Sequence, residues 1–299
     1  MIIILMLIGL LISNQFIGIF YKSFSTLSAG NKKAAPVFMA VWTGMLGIVL
    51  FITDLITNRV FIPSAVTWSA AIAGGLSFVL AGLLYIKILS IGPFIWSVLM
   101  MNLSNFVPVV FSLIFLKETI SPPQIAGVTI ILSILFIMSV RHKTGDRPFT
   151  AKWMAMALIT MFANGGILST QKAQSYYMGG TQTLEYLALL FLFTSLFAIS
   201  YHLLTLMFTS NKKAPREQLK ICPFLLLAFR MAAAIGVTNM LGMTLMRYIT
   251  AAVQFPVIIG VGTILSAFIG VKLYKEKHGR RLYISVVMLV IGAILLGLG

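Results

Sequence analysis

The stretch Asn14-Gln-Phe-Ile-Gly-Ile-Phe-Tyr-Lys22 returns in outline as Asn164-Gly-Gly-Ile-Leu-Ser-Thr-Gln-Lys172, an offset of 150 residues. The asparagine, the isoleucine three residues on and the lysine eight residues on all recur, and Ser25 recurs as Ser175. Further along, Gly82 and Lys87 fall on Gly242 and Arg247, and Lys117-Glu118 falls on Lys275-Glu276. Each match is weak alone, but their shared order divides the chain at about residue 144. The halves are then 1–144 and 145–299.

Both copies lie in long apolar runs. Of 299 residues, 60% are hydrophobic and only 9% are charged, against about 25% in a soluble domain. A chain of this size has too much surface to hide that much apolar material from water, whereas lipid covers it. A spanning helix needs roughly 20 apolar residues. That rule predicts spans near 2–21, 35–54, 65–87, 93–115, 121–140, 152–171, 183–208, 222–245, 250–272 and 280–298. The expected fold is an all-α integral membrane protein of about ten transmembrane helices. Five helices per repeat is an odd number, so the second copy enters the bilayer inverted, an architecture of secondary transporters with sites near the midplane.

The net charge of +16 is spread in short clusters between apolar runs, which argues for lipid headgroups and topology signals and against nucleic acid. Of the 22 Lys and Arg residues, 17 fall on the side opposite the termini and 4 on theirs, so the positive-inside rule puts both termini outside. The single cysteine, Cys222, excludes an internal disulfide or thiolate cluster. The six acidic residues and three histidines show no two-carboxylate or metal spacing, and no Gly-rich loop leads into Lys-Ser or Lys-Thr. The reading is therefore not an enzyme, with no cofactor and no metal.

The segments Gly82-Leu-Leu-Tyr-Ile-Lys87, Gly92-Pro93, Pro108, Leu116-Lys-Glu118, Gln124 and Gly127 resemble the signature of the drug/metabolite transporter superfamily, EamA type. Arg247-Tyr248, Pro256, Tyr274-Lys-Glu276 and Gly292 resemble a weaker second copy. Lys117 and Lys275 stand where that family usually has glycine, and Ser266 stands at the partner position of Pro108. The resemblance implies a ten-helix carrier that exports or exchanges amino acids, other metabolites, drugs or sugar conjugates. It also implies termini in the cytoplasm, against the charge count.

Polar groups inside spans mark candidate sites. Asn14 and Asn164 recur; Asn102 and Asn105 share a helix face, with Pro108 expected to break the ladder nearby. Gln254 and Pro256 are the corresponding pair in the ninth span. Tyr85, Trp96 and Asn239 are further cavity candidates. Arg230 lies deep in the eighth span and is a candidate for an anionic group, with Glu185 as counter-ion or proton carrier. Lys22 and Lys172 read as snorkelling side chains, and Trp42, Trp68 and Trp153 as interface anchors. The expected function is secondary transport of a small solute by alternating access, as monomer or homodimer in a bacterial inner (plasma) membrane. Protons are the candidate coupling ion. A non-transporting scaffold or receptor subunit and a passive channel are the alternatives.

Overall fold

The structure is a computed structural model that describes residues 2–28, 33–117, 121–139, 150–208, 221–245, 248, 251–275 and 280–297. The described residues form helices and no strand. In chain order these are α1 (Ile2–Leu27), α2 (Ala34–Asn58), α3 (Ala65–Ile91), α4 (Phe94–Leu103), α5 (Phe106–Phe115), α6 (Pro122–Ser139), α7 (Ala151–Tyr177), α8 (Thr183–Phe208), α9 (Ile221–Leu245), α10 (Ala251–Tyr274) and α11 (Arg280–Gly297). Among the described residues, seven are long and apolar enough to cross a membrane: α1, α2, α3, α4 with α5, α7, α8 and α9. A helix satisfies its own backbone groups, and hydrocarbon offers no other partner for them. A helix of 25 residues, the length of α2, rises about 37 Å, which exceeds the roughly 30 Å hydrocarbon core and leaves turns at the interface.

Helix ends follow local chemistry. Ser64 accepts from the Thr67 N–H at 3.2 Å to cap α3, and Thr150 accepts from Trp153 N–H at 3.1 Å to cap α7. Each such cap contributes about 1 kcal/mol. α6 begins at Pro122 directly after Ser121, as the Ser-Pro-Pro run predicts. The fourth span, Phe94–Phe115, is made of two helices, α4 and α5, parted at Ser104-Asn105, near the expected break. The physical reason lies four residues on: Pro108 has no N–H to give the Ser104 carbonyl, which accepts from Val107 N–H at 3.0 Å. By contrast α10 runs unbroken from 251 to 274, through position 256, so the expected second helix break is not there. A missing bond in the second turn of a long helix is absorbed without parting it.

The bundle is sealed by small residues. α2 packs on α8, α3 on α7 and α8, α1 on α9, and α6 on α11. At Gly47 a Cβ would stand 2.9 Å from the Leu192 backbone nitrogen, and at Gly75 3.1 Å from that of Thr194. Close backbone approach of this kind drives helix association where lipid is as apolar as leucine. Trp42, Phe78 and Phe191 meet edge-on with centroids 5.6–6.1 Å apart. Trp42 and Trp153 are therefore core residues and not the interface anchors expected; Trp68 is exposed. The reason is the glycine opposite: the Trp153 indole lies on Gly92, and its Nε1 donates to the Ile88 carbonyl at 3.3 Å. At the same helix end Lys22 Nζ donates to the Leu89 carbonyl at 2.6 Å, closing the last turn of α3.

The turns at one end interlock. Gln182 Oε1 accepts from Ser64 N–H (3.0 Å) and Thr67 Oγ1 (2.7 Å), tying the α7–α8 turn to the α2–α3 turn.

Candidate functional site

A cavity of about 170 Å³ lies between α1, α3, α4, α7, α9 and α10. Each helix contributes one face. α1 gives Leu10, Asn14, Ile17 and Tyr21; α3 gives Phe78, Ala81, Gly82 and Tyr85; α7 gives Asn164, Ile167, Leu168 and Gln171. α9 gives Ile235, Thr238, Asn239 and Gly242, and α10 gives Ile258. Steps of three, four and seven residues put such sets on one side of a helix. Met101, Asn102 and Asn105 come from the end of α4 and the break, so the parted helix opens onto the cavity.

The break is held by side chains. Asn105 Nδ2 donates to the Asn102 carbonyl at 2.9 Å, and Asn102 Nδ2 donates to Thr263 Oγ1 at 3.0 Å, reaching α10. Asn164 Nδ2 donates to Ser104 Oγ at 2.6 Å, and Ser104 in turn donates to the Met101 carbonyl. On the other wall Gln171 Nε2 donates to Asn239 Oδ1 at 2.7 Å, and Asn239 Nδ2 donates to the Ile235 carbonyl at 2.9 Å. Ser13 and Thr238 meet at 2.8 Å and join α1 to α9. Gln15 clamps α1 to α10, donating to the Gly262 carbonyl at 3.2 Å and accepting from Ser266 Oγ at 2.8 Å. Asn14 makes no hydrogen bond to another described residue.

Six of the sequence candidates thus meet at one place: Asn14, Tyr85, Asn102, Asn105, Asn164 and Asn239. Three do not. Arg230 is exposed on α9; depth along a helix does not fix the direction a side chain takes around it, and Arg230 projects from the outer face. Trp96 is buried in the core and does not line the cavity. Glu185 sits half-buried in the first turn of α8, where a carboxylate complements the helix dipole, and it too is absent from the lining. With Arg230 outside, Glu185 has no counter-ion role there. The side chains of Gln254 and Pro256, and residues Glu118, Arg247 and Glu276, lie outside the described residues. Sequence reasoning missed Gln171, Thr238 and Gln15, and noted Ser104 with Trp96, Asn102 and Asn105 in the fourth span. Gln171 was within reach, since it stands seven residues after Asn164 on the same helix face.

Among the described residues, the lining contains no Asp, Glu, Lys, Arg or His. Its polar groups are carboxamides, Thr238 and the hydroxyls of Tyr21 and Tyr85, whose rings meet edge-on at 5.2 Å. Such a site binds by hydrogen bonds and aromatic contact, and at about 170 Å³ it is smaller than the roughly 300–1,000 Å³ of drug-sized pockets.

No family model and no curated protein matches the chain. Its fold is similar to that of a crystal structure described only as that of a protein, with a TM-score of 0.59 and 17% identity. The similarity covers 97% of this chain and 96% of the other. At that identity the likeness speaks for the fold, along essentially its whole length.

Proposed function

We propose that this chain is a secondary carrier of the drug/metabolite transporter type, made of ten spans as two inverted five-helix repeats. It exports or exchanges a small organic solute across a bacterial inner membrane by alternating access. One observation carries the reading: three of the residue pairs matched between the halves line the same cavity. Asn14 and Asn164, Ile17 and Ile167, and Gly82 and Gly242 all face it. A repeat whose equivalent positions converge on one chamber is the arrangement expected of a carrier whose site lies between its halves.

Two further features support the repeat. Under the exchange of halves α1 corresponds to α7 and α3 to α9, so the packed pairs α1–α9 and α3–α7 exchange with each other. Lys117 and Lys275, matched at an offset of 158 residues, have left-handed backbones with φ of 55° and 51° after α5 and α10.

Transport is tested with purified protein in liposomes loaded with a mixture of amino acids and other small metabolites. A carrier shows saturable uptake, trans-stimulation by internal solute and turnover far below channel conductance. Channel-like ion flux without competition between solutes would eliminate the carrier and favour a pore.

A further inference from the structure

Resting on the carrier reading and deepening it, we infer that the cavity selects solutes bearing several N–H or O–H donors and no net negative charge, through amide oxygens fixed toward it. An amide can in principle present either its oxygen or its nitrogen. Here the choice is forced, because each chain of hydrogen bonds ends on a backbone carbonyl, which only accepts.

Asn105 Nδ2 meets the Asn102 carbonyl directly, so a flip would set two oxygens against each other. Ser104 Oγ gives its proton to the Met101 carbonyl and, so turned, accepts from Asn164 Nδ2. Asn239 Nδ2 is held by the Ile235 carbonyl, which turns Asn239 Oδ1 toward Gln171 and makes Gln171 donate through Nε2. Thr238 follows the same rule, donating to the Ala234 carbonyl at 2.8 Å and leaving an accepting hydroxyl.

The fixed acceptors left for a ligand are Asn105 Oδ1, Asn164 Oδ1 and Gln171 Oε1, and the amide of Asn14 adds a group that can turn either way. None of the three accepts from another described residue, and none is a sealed, unsatisfied atom. The three residues line the cavity from two adjoining elements, α7 and the α4–α5 break. A buried acceptor needs a donor, and a protonated amine or primary amide supplies several. Tyr21, Tyr85 and Phe78 add ring faces that favour a cation. A net anion finds no Lys, Arg or His among the described residues of the lining to balance its charge.

The test compares isomers of equal charge and composition on the intact protein in detergent. The probes are valine against trimethylglycine, and a linear aminopentanol against choline; only the first of each pair carries N–H donors on its nitrogen. Calorimetric titration should give at least about tenfold tighter binding for the donor-bearing isomer, the ratio for roughly one lost hydrogen bond to charge. Gln171→Leu should reduce that ratio several-fold. Equal binding of the isomers, preference for the methylated one, or no binding of either donor-bearing probe overturns the inference. The liposome assay separates it from the carrier reading. Discrimination in binding without flux sinks the carrier and leaves the site, whereas saturable flux without discrimination does the reverse.

Discussion

Lys117 and Lys275 are lysines in a conformation that suits glycine, at φ of 55° and 51°. A side chain in the left-handed region costs roughly 1 kcal/mol, and the position just after a helix is where glycine relieves it. Lys117→Gly and Lys275→Gly are each expected to raise stability by about 0.5–1 kcal/mol, read as a higher melting temperature in detergent. Arg230, exposed on α9, gives the opposite kind of expectation. Arg230→Gln should leave solute affinity within about twofold, and a tenfold loss measured by titration would put a charge back into the binding site. At this scale the sequence was half legible. Asparagines recurring at matched positions pointed to the cavity, because a repeat constrains direction as well as depth. A lone arginine in an apolar run did not, because burial along the membrane normal says nothing about azimuth. Gln171 and Thr238 were hidden for a different reason: an uncharged polar residue carries little signal until its partner is known.

Pro108 shows how an element takes its shape from one missing proton donor. Restoring the N–H by Pro108→Ala lets the Ser104 carbonyl find an ordinary helical partner and favours joining α4 to α5. Stability should hold or rise, while affinity for the bound solute falls at least several-fold because Asn105 turns away from the cavity. Unchanged affinity in a titration would show that the break does not shape the site. The glycine seam between α2 and α8 gives a stability test. Gly47→Val pushes a branched side chain against the Leu192 backbone, 2.9 Å from where its Cβ would stand, and should cost about 1–3 kcal/mol. A melting temperature equal to the parent's would mean that the seam can open. Helices were legible because twenty apolar residues between charged turns leave little choice of structure. Their interruption was legible only in part. Two prolines gave the same local signal, yet 108 lies beside a parted helix and 256 within a continuous one, since the neighbouring carboxamides of Asn102 and Asn105 help hold the first break open.

Over the whole molecule, α1 packs directly on α9 beside the cavity, joined by the 2.8 Å contact of Ser13 and Thr238. Alternating access by rocking requires such cross-half contacts to part at some stage. With Cys222 replaced by serine, Ser13→Cys and Thr238→Cys should form a disulfide on oxidation that stops flux, and reduction should restore it. Undiminished transport with the bridge quantitatively formed would show that this pair never separates. The all-helical, membrane-spanning character was legible from composition, whereas the helix neighbours were not, because the pairing of α2 with α8 depends on glycines whose partners lie far along the chain. Among the described residues the cavity lining carries no charged side chain, which has an electrical consequence for the proposed carrier. A binding site without formal charge of its own moves none through the membrane field when the empty protein changes face. The described lining then adds no voltage dependence to an unloaded return, and at the site the potential would act through the passenger and any co-transported ion, by about 2.3 kcal/mol per unit charge for each 100 mV. A neutral solute carried alone accumulates no further than its own gradient allows, and a monovalent cation is drawn toward the negative side.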